Sequence, residues 1–419
     1  MPVKIAKSSV ARPFRGYLIA KCLIASVMAW PLMTLILQAK RLSYLEIGLL
    51  NSFGAVVSLL FEVPMGRLAD RFGQKYALAF GSLLIALGVS VLALFDALPA
   101  VYLSELVIGA GLALSSGADS AWLFQEHKRL GMEDDYLKSR SAVGSVTLLF
   151  SMTSSVVGPI LFSWRTNLPL WMSVACYIAA AGVFLRLRLH DQLSSESSKA
   201  DQSSHGAHKL GTVIRRVAGV IRNHSLFVSL ALASTIVMIA VSNYSTYLGP
   251  FLEERGLEVR NLGIVLVVGK IVQWLAVRNT YRLKRSTDHE RLRVLTVMGL
   301  VILFLVAVSV TMPSTPWIGA GSFVLLSGLA SVFFILIDEQ VNLVISDKYR
   351  TTMLSIVAMF DEAATIAVDP VIGAVLDALG FSRTYLLLSA VLSVSFCLVV
   401  ALATYSTRNL SDRNDPAGH

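Results

Sequence analysis

Long apolar runs separated by short charged turns dominate the chain. Twelve such runs are legible, at 14–38, 44–66, 75–95, 98–124, 140–163, 168–187, 225–251, 260–281, 291–312, 315–341, 351–376 and 380–405. Each approaches the about 20 apolar residues that a helix needs to cross a hydrocarbon core. The pattern predicts an all-α membrane protein of 12 transmembrane helices. The first run is too long for a signal peptide, carries Lys21 and lacks a small-residue cleavage site, so it reads as a retained helix. The longest polar interruption, 189–224, is serine-rich and charged and cannot bury a core. Its second part, 211–222, spaces Val213, Ile214, Val217, Val220 and Ile221 among Arg215, Arg216 and Arg222, which predicts a basic amphipathic helix on the membrane face. The chain thus divides into an N-terminal six-helix half (1–188), a cytoplasmic linker (189–224), a C-terminal six-helix half (225–407) and a tail (408–419).

Charge gives the runs an orientation. With the N-terminus in the cytoplasm, 28 of the 36 Lys and Arg fall on the cytoplasmic side, six fall in outer loops, and two, Lys21 and Lys270, lie inside spans. This bias predicts both termini in the cytoplasm. It accounts for the net charge of +9 as a topogenic signal and a contact with anionic lipid, without nucleic acid as a partner. A monomer is expected.

Composition, 55% apolar and 15% charged, excludes a soluble enzyme. Cys22, Cys176 and Cys397 all fall in apolar runs without metal-ligand spacing and read as inert thiols. His127, His190, His205, His208, His224, His289 and His419 all read as loop or tail residues, which leaves no histidine for a proton relay within the membrane and no metal site. There is no phosphate-binding loop, nucleophile elbow or zinc motif, so neither catalysis nor a cofactor is expected.

The most informative polar segment lies between the second and third runs: Gly66-Arg67-Leu68-Ala69-Asp70-Arg71-Phe72-Gly73-Gln74-Lys75. Its glycines suit a tight turn between helices. The two halves also carry matching features. Asp135 to Arg140 enters the fifth run and Gly158-Pro159 follows 18 residues after Arg140; Asp347 to Arg350 enters the eleventh, and Asp369-Pro370 follows 19 residues after Arg350. Shared order and spacing point to internal repeats.

Twelve spans, the six-plus-six division and this segment together resemble the major facilitator superfamily, over nearly the whole chain. The family pattern G-x-L-a-D-r-x-G-r-k-x-x-l is matched by Gly66, Leu68, Asp70, Arg71, Gly73, Lys75 and Leu78. The resemblance implies two six-helix pseudo-repeat halves rocking about a midplane site. It also implies an inner latch, in which Asp70 meets the positive N-terminus of the eleventh helix. One position departs: Gln74 stands where many relatives have an arginine bridging to an acid at the end of helix 4. Asp119 is the matching acid, with Arg71, Lys75 or Arg140 as replacement partners. Glu62-Val63-Pro64-Met65-Gly66 and Ser116-Gly117-Ala118-Asp119-Ser120-Ala121-Trp122 are similar to a bacterial branch of permeases and efflux proteins, which implies a multi-pass protein of the inner membrane. Gly158 and Pro159 match part of an antiporter motif whose other glycines are replaced by Ser154, Phe162 and Ser163.

Ionisable groups at bilayer depth are costly and mark pathways or relays. Lys270 lies ten residues from either end of its run, roughly 15 Å in, and Gln273 and Trp274 follow on its face. The three form a candidate site for an anionic or polar aromatic ligand, the other reading being an ion pair with a neighbouring acid. Lys21 either reaches the site or snorkels to the interface. Asn243, Tyr244 and Tyr247, in a polar stretch ending the seventh run, are read as cavity lining with an outer gate. Asp361 and Glu362, and then Asp369, are the candidates for proton coupling. Glu62, Asp119 and Arg140 read as a gating network with Asp70, Arg71 and Lys75. Glu105 lies nearer the outer face, fourteen residues before Asp119.

The expectation is a secondary active transporter exporting a small molecule against protons. The cargo is an anionic or zwitterionic metabolite, a siderophore or a drug. Proton-coupled uptake is the alternative within transport, and a membrane sensor or assembly partner is the alternative outside it.

Overall fold

A computed structural model describes residues 11–132, 135–187, 225–280, 288–311, 315–344 and 350–414. The expected amphipathic helix at 211–222, the linker at 189–224 and the basic loop at 281–286 lie outside these residues. The helices are α1 (Ala11–Ala25), α2 (Met33–Ala39), α3 (Tyr44–Phe72), α4 (Gln74–Leu94), α5 (Leu98–Arg129), α6 (Tyr136–Trp164), α7 (Leu168–Arg186), α8 (Ser225–Thr246), α9 (Leu248–Glu254), α10 (Val259–Asn279), α11 (Asp288–Thr311), α12 (Pro316–Val344) and α13 (Arg350–Asn414). Among the described residues, ten stretches are long and apolar enough to cross a membrane. One of them, Ile356–Thr404, is interrupted at Gly380, whose φ of 70° and ψ of 175° break the helix in two. The apolar part of α11, Arg293–Ser309, is shorter. The order of the twelve expected runs is therefore kept: nine each have a membrane-length stretch of their own, two share Ile356–Thr404, and one is the shorter Arg293–Ser309. Large apolar side chains such as Leu149, Val391 and Leu398 are more than half exposed, which suits helices facing lipid.

The chain forms two compact units, one of Met1–Leu42, Leu50–Ser204 and Val259–Gly263, the other of Ser43–Leu49, His205–Glu258 and Ile264–His419. In the first, α4 packs on α5 and α7, and α1 packs on α7 and α6. Their core joins Tyr17 and Ala20 of α1 to Leu78 of α4, Leu114 and Leu123 of α5, and Phe184 of α7. In the second, α8 packs on α13 and α12, and α11 on α12 and α13.

Two local structures differ from the expectation. The segment from Gly66 to Lys75 is not a loop. α3 continues through Phe72, α4 begins at Gln74, and the whole turn is made at Gly73, with φ 88°. Gly66 is helical, with open space on its flank, and within this segment only Gly73 uses the left-handed backbone that glycine adopts without strain.

The first run is also broken, between α1 and a single 3-10 turn at Trp30–Leu32. Pro31 explains the break, because it cannot donate and clashes with a helical carbonyl behind it. The freed N–H groups of Met28 and Ala29 both donate to Ser173 Oγ of α7, at 3.1 Å each, and Trp30 Nε1 donates to Tyr177 Oη at 3.0 Å. The seventh run breaks similarly at Tyr247, between α8 and α9. Pro159 and Pro370, the paired prolines of the sequence repeat, both lie inside helices, α6 and α13.

Candidate functional site

Each unit holds polar groups at membrane depth, and each set is built by a different pair of helices. In the first unit α1 and α5 bring Tyr17, Lys21 and Asp119 together. Lys21 Nζ lies 3.0 Å from Asp119 Oδ2, and Tyr17 donates its hydroxyl to Asp119 Oδ1 at 2.8 Å. Both oxygens of the carboxylate are thus engaged. The Tyr17 ring stacks on Trp122, three residues beyond Asp119, with centroids 4.6 Å apart. Arg140 donates to Tyr136 Oη at 2.9 Å and acts electrostatically on Asp119. The partner of Asp119 is therefore Lys21, where the sequence pointed to Arg71, Lys75 or Arg140. The carboxylate holds the Lys21 ammonium against α5. The pair keeps 25% and 34% of its side-chain surface exposed and remains open to a further polar group.

His127 corrects the expectation for histidines. It lies in α5 and is fully buried, with Nδ1 2.8 Å from the Leu123 carbonyl oxygen and Nε2 2.8 Å from Ser139 Oγ. A carbonyl only accepts, so Nδ1 carries a hydrogen. Phe14 and Tyr136 flank the ring, at 4.7 and 5.8 Å between centroids. His289 is likewise helical, in α11.

The latch residues of the first unit differ in exposure. Glu62, Asp70 and Arg71 are exposed, whereas Lys75 is buried with its ammonium 5.4 Å from the Tyr76 ring centroid. Gly66 and Gly73 are separated by the last two turns of α3.

In the second unit Thr235 of α8 donates to Asp361 Oδ1 of α13 at 2.6 Å. Asp338 of α12 lies close enough for the Asp361 charge to act on it. Two turns along α13, Asp369 Oδ1 accepts from Asn243 Nδ2 at 3.1 Å. α8 thus engages two of the three acids of α13 that the sequence selected, and Glu362 is partly buried beside them. Asn243, Tyr244 and Tyr247 do not line an open cavity; each is at most 3% exposed. Tyr244 donates to the Gly319 carbonyl at 3.1 Å and Tyr385 to that of Asn243 at 3.1 Å, while Asn243 Oδ1 and Tyr247 Oη are buried without a hydrogen-bond partner among the described residues. Lys270 is partly buried in α10, while Gln273 and Trp274 are exposed and Arg278 lies over the Trp274 ring at 5.3 Å. Asp338 escaped the sequence reading because it sits near the end of its run, where charges usually meet the interface. The signal was a carboxylate still inside an apolar helix. Among the described residues, no group of three or more His, Cys, Asp or Glu is placed to hold a metal ion.

The family model described as Major Facilitator Superfamily matches residues 21–361. Among curated proteins, the chain is 22% identical over 371 residues to "Uncharacterized MFS-type transporter YxaM" of Bacillus subtilis (strain 168), covering 88% of this chain and 90% of that one. Among solved structures, nucleoside transporter NupG is similar with a TM-score of 0.72 at 14% identity, over 93% of this chain and 98% of that one. A bacterial homolog of the human lysosomal transporter Spinster gives 0.70 at 11%, over 96% and 98%. A peptide transporter POT gives 0.68 at 13%, over 96% and 99%. These structural likenesses concern the fold.

Proposed function

The chain belongs to the Major Facilitator Superfamily of secondary transporters, and from that premise we propose that it exports a small organic molecule in exchange for protons. The observation that carries the reading is Asp361, an acid inside a membrane-length helix whose Oδ1 accepts from Thr235, with Asp338 in electrostatic reach. A carboxyl in such a place exchanges protons without leaving the membrane, and a second nearby acid gives the proton somewhere to go. One structural neighbour bears a title about proton dependent oligopeptide transporters, which agrees with such coupling within this fold.

The cargo class follows from the cations. Lys21 is occupied by Asp119, so the first unit offers both signs of charge side by side. Lys270 adds a cation in the second unit. A molecule carrying a carboxylate, alone or with an ammonium, suits these groups better than a cationic drug. The same groups serve uptake equally well, since direction follows the gradients and not the fold. The reading places the protein in a bacterial inner membrane with both termini in the cytoplasm, on the strength of the Lys and Arg distribution.

The test is flux in proteoliposomes under an imposed pH gradient, with panels of organic anions, zwitterions and cationic drugs. Anion- or zwitterion-dependent proton movement, weakened in Lys270→Ala, is the expected result. Movement driven by cationic drugs alone and indifferent to Lys270→Ala would discard the cargo class.

A further inference from the structure

The site described above leaves out an acid of the first unit that is set into the contact between two membrane-length helices. Glu105 is the eighth residue of α5, about 10 Å from its start. It is partly buried and makes no hydrogen bond or ion pair among the described residues. Its place is made by α3. A Cβ at Gly54 would stand 2.5 Å from Glu105 Oε1, so the end of the carboxyl lies against α3 where Gly54 carries no side chain. One turn along, the roles reverse: a Cβ at Gly109 of α5 would stand 2.6 Å from Val57 Cγ1 of α3. The two helices interlock through two knobs, one a valine and the other a carboxyl. The rings of Phe53 and Tyr102 meet edge to face beside them, 5.2 Å apart.

Among the described residues, α3, α4, α5 and α6 bring no countercharge to Glu105. On α5, Tyr102 is the nearest ionisable group, and Asp119 is fourteen residues away and engaged by Tyr17 and Lys21. On α3, Glu46 and Glu62 stand eight residues to either side of Gly54, about 12 Å along the helix, and both are acids. On α4, whose Gly88 meets Ser104 and Ile108, nothing from Ala77 to Leu94 is ionisable. α6 has its ionisable residues, Tyr136, Lys138 and Arg140, at its start, beside the far end of α5. A lone carboxylate in such surroundings is costly, whereas the neutral acid packs like an apolar knob. One carboxyl is also too few oxygens for a metal cation.

We propose that Glu105 holds an exchangeable proton, kept on the carboxyl by its place among apolar contacts between α3 and α5, beside Gly54. Losing the proton drives the charged group out of these contacts, which ties protonation to the packing of these helices. The use of this proton in transport rests on the proton-coupled reading above; its presence on Glu105 does not.

The full-length protein in liposomes is treated with dicyclohexylcarbodiimide, which modifies neutral carboxyls in apolar surroundings, and the Glu105 peptide is followed by mass spectrometry. The expected adduct forms at about pH 6, falls about tenfold by about pH 9, and is absent from Glu105→Gln. Gly54→Ala, whose methyl displaces the end of the Glu105 side chain, lowers it. An infrared difference between wild type and Glu105→Gln, independent of reagent access, is expected to show the carbonyl band of a neutral acid. Absence of both adduct and band at acid pH would overturn the assignment. So would suppression of the adduct by sodium ions at fixed pH, which would make this a cation site. If adduct and band appear but no compound moves protons across the bilayer, the coupled-transport reading fails and the proton on Glu105 stands.

Discussion

Lys21 Nζ and Asp119 Oδ2 lie 3.0 Å apart, joining α1 to α5 across 98 residues of sequence. Each group removes the cost of the other in a low-dielectric setting, so loss of either is worse than loss of both. Asp119→Asn and Lys21→Met are each expected to lower stability by about 1–3 kcal/mol, below the cost for a fully buried pair because this one is partly open. The double variant recovers part of the loss. Thermal unfolding in one detergent checks this; a double variant as damaged as the sum of the singles would show that the two groups act separately.

The turn glycines separate cleanly. Gly73, at φ 88°, tolerates alanine poorly, and Gly73→Ala is expected to cost about 1–2 kcal/mol. Gly66 is helical with nothing within 4 Å of an added methyl, so Gly66→Ala is neutral or stabilises by up to about 1 kcal/mol. Equal damage at both positions would restore the reading of the whole segment as a turn. The measurement is the shift in melting temperature of each variant.

The N–H groups freed at the break in the first run are satisfied by one hydroxyl. Ser173→Ala leaves the N–H groups of Met28 and Ala29 without their acceptor and is expected to cost about 1–3 kcal/mol. Hydrogen exchange at these two amides reads it directly: faster exchange confined to 28–29 supports the cap, and unchanged exchange contradicts it.

What the sequence made legible follows from chain-local physics. Apolar run length gave the helices and their order, because a bilayer imposes a length on each. The paired prolines at 159 and 370 were legible as matching positions, and both lie inside helices. The contacts across the helices were not legible. Lys21 was visible as a charge at depth, but its partner on α5 depends on which faces of two helices meet, and no local pattern encodes that. His127 was misplaced because α5 runs to Arg129, past the point where apolarity ends. Asn243, Tyr244 and Tyr247 were visible as a polar stretch, and their burial in helix packing was not, since a polar side chain inside a bundle and one on a cavity wall look alike in sequence. Glu105 was noticed only as a position, because its surroundings lie on another helix, beside Gly54.

Thr235 positions Asp361. Thr235→Val removes a 2.6 Å hydrogen bond while keeping the shape of the side chain. It is expected to shift the pH dependence of coupled flux and lower its rate about tenfold, the equivalent of about 1.4 kcal/mol, without loss of folded protein. Flux and pH profile unchanged from wild type would make the hydrogen bond incidental.

Proton coupling through Asp361 is tested most directly by comparing two modes of movement in the same proteoliposomes, once a cargo is found. Substrate exchange at equilibrium needs no net proton transfer, whereas gradient-driven flux does. Asp361→Asn is expected to keep exchange within about twofold of wild type and to lose gradient-driven flux by at least about a hundredfold. Equal gradient-driven flux in wild type and Asp361→Asn would contradict the account and remove Asp361 from the proton path.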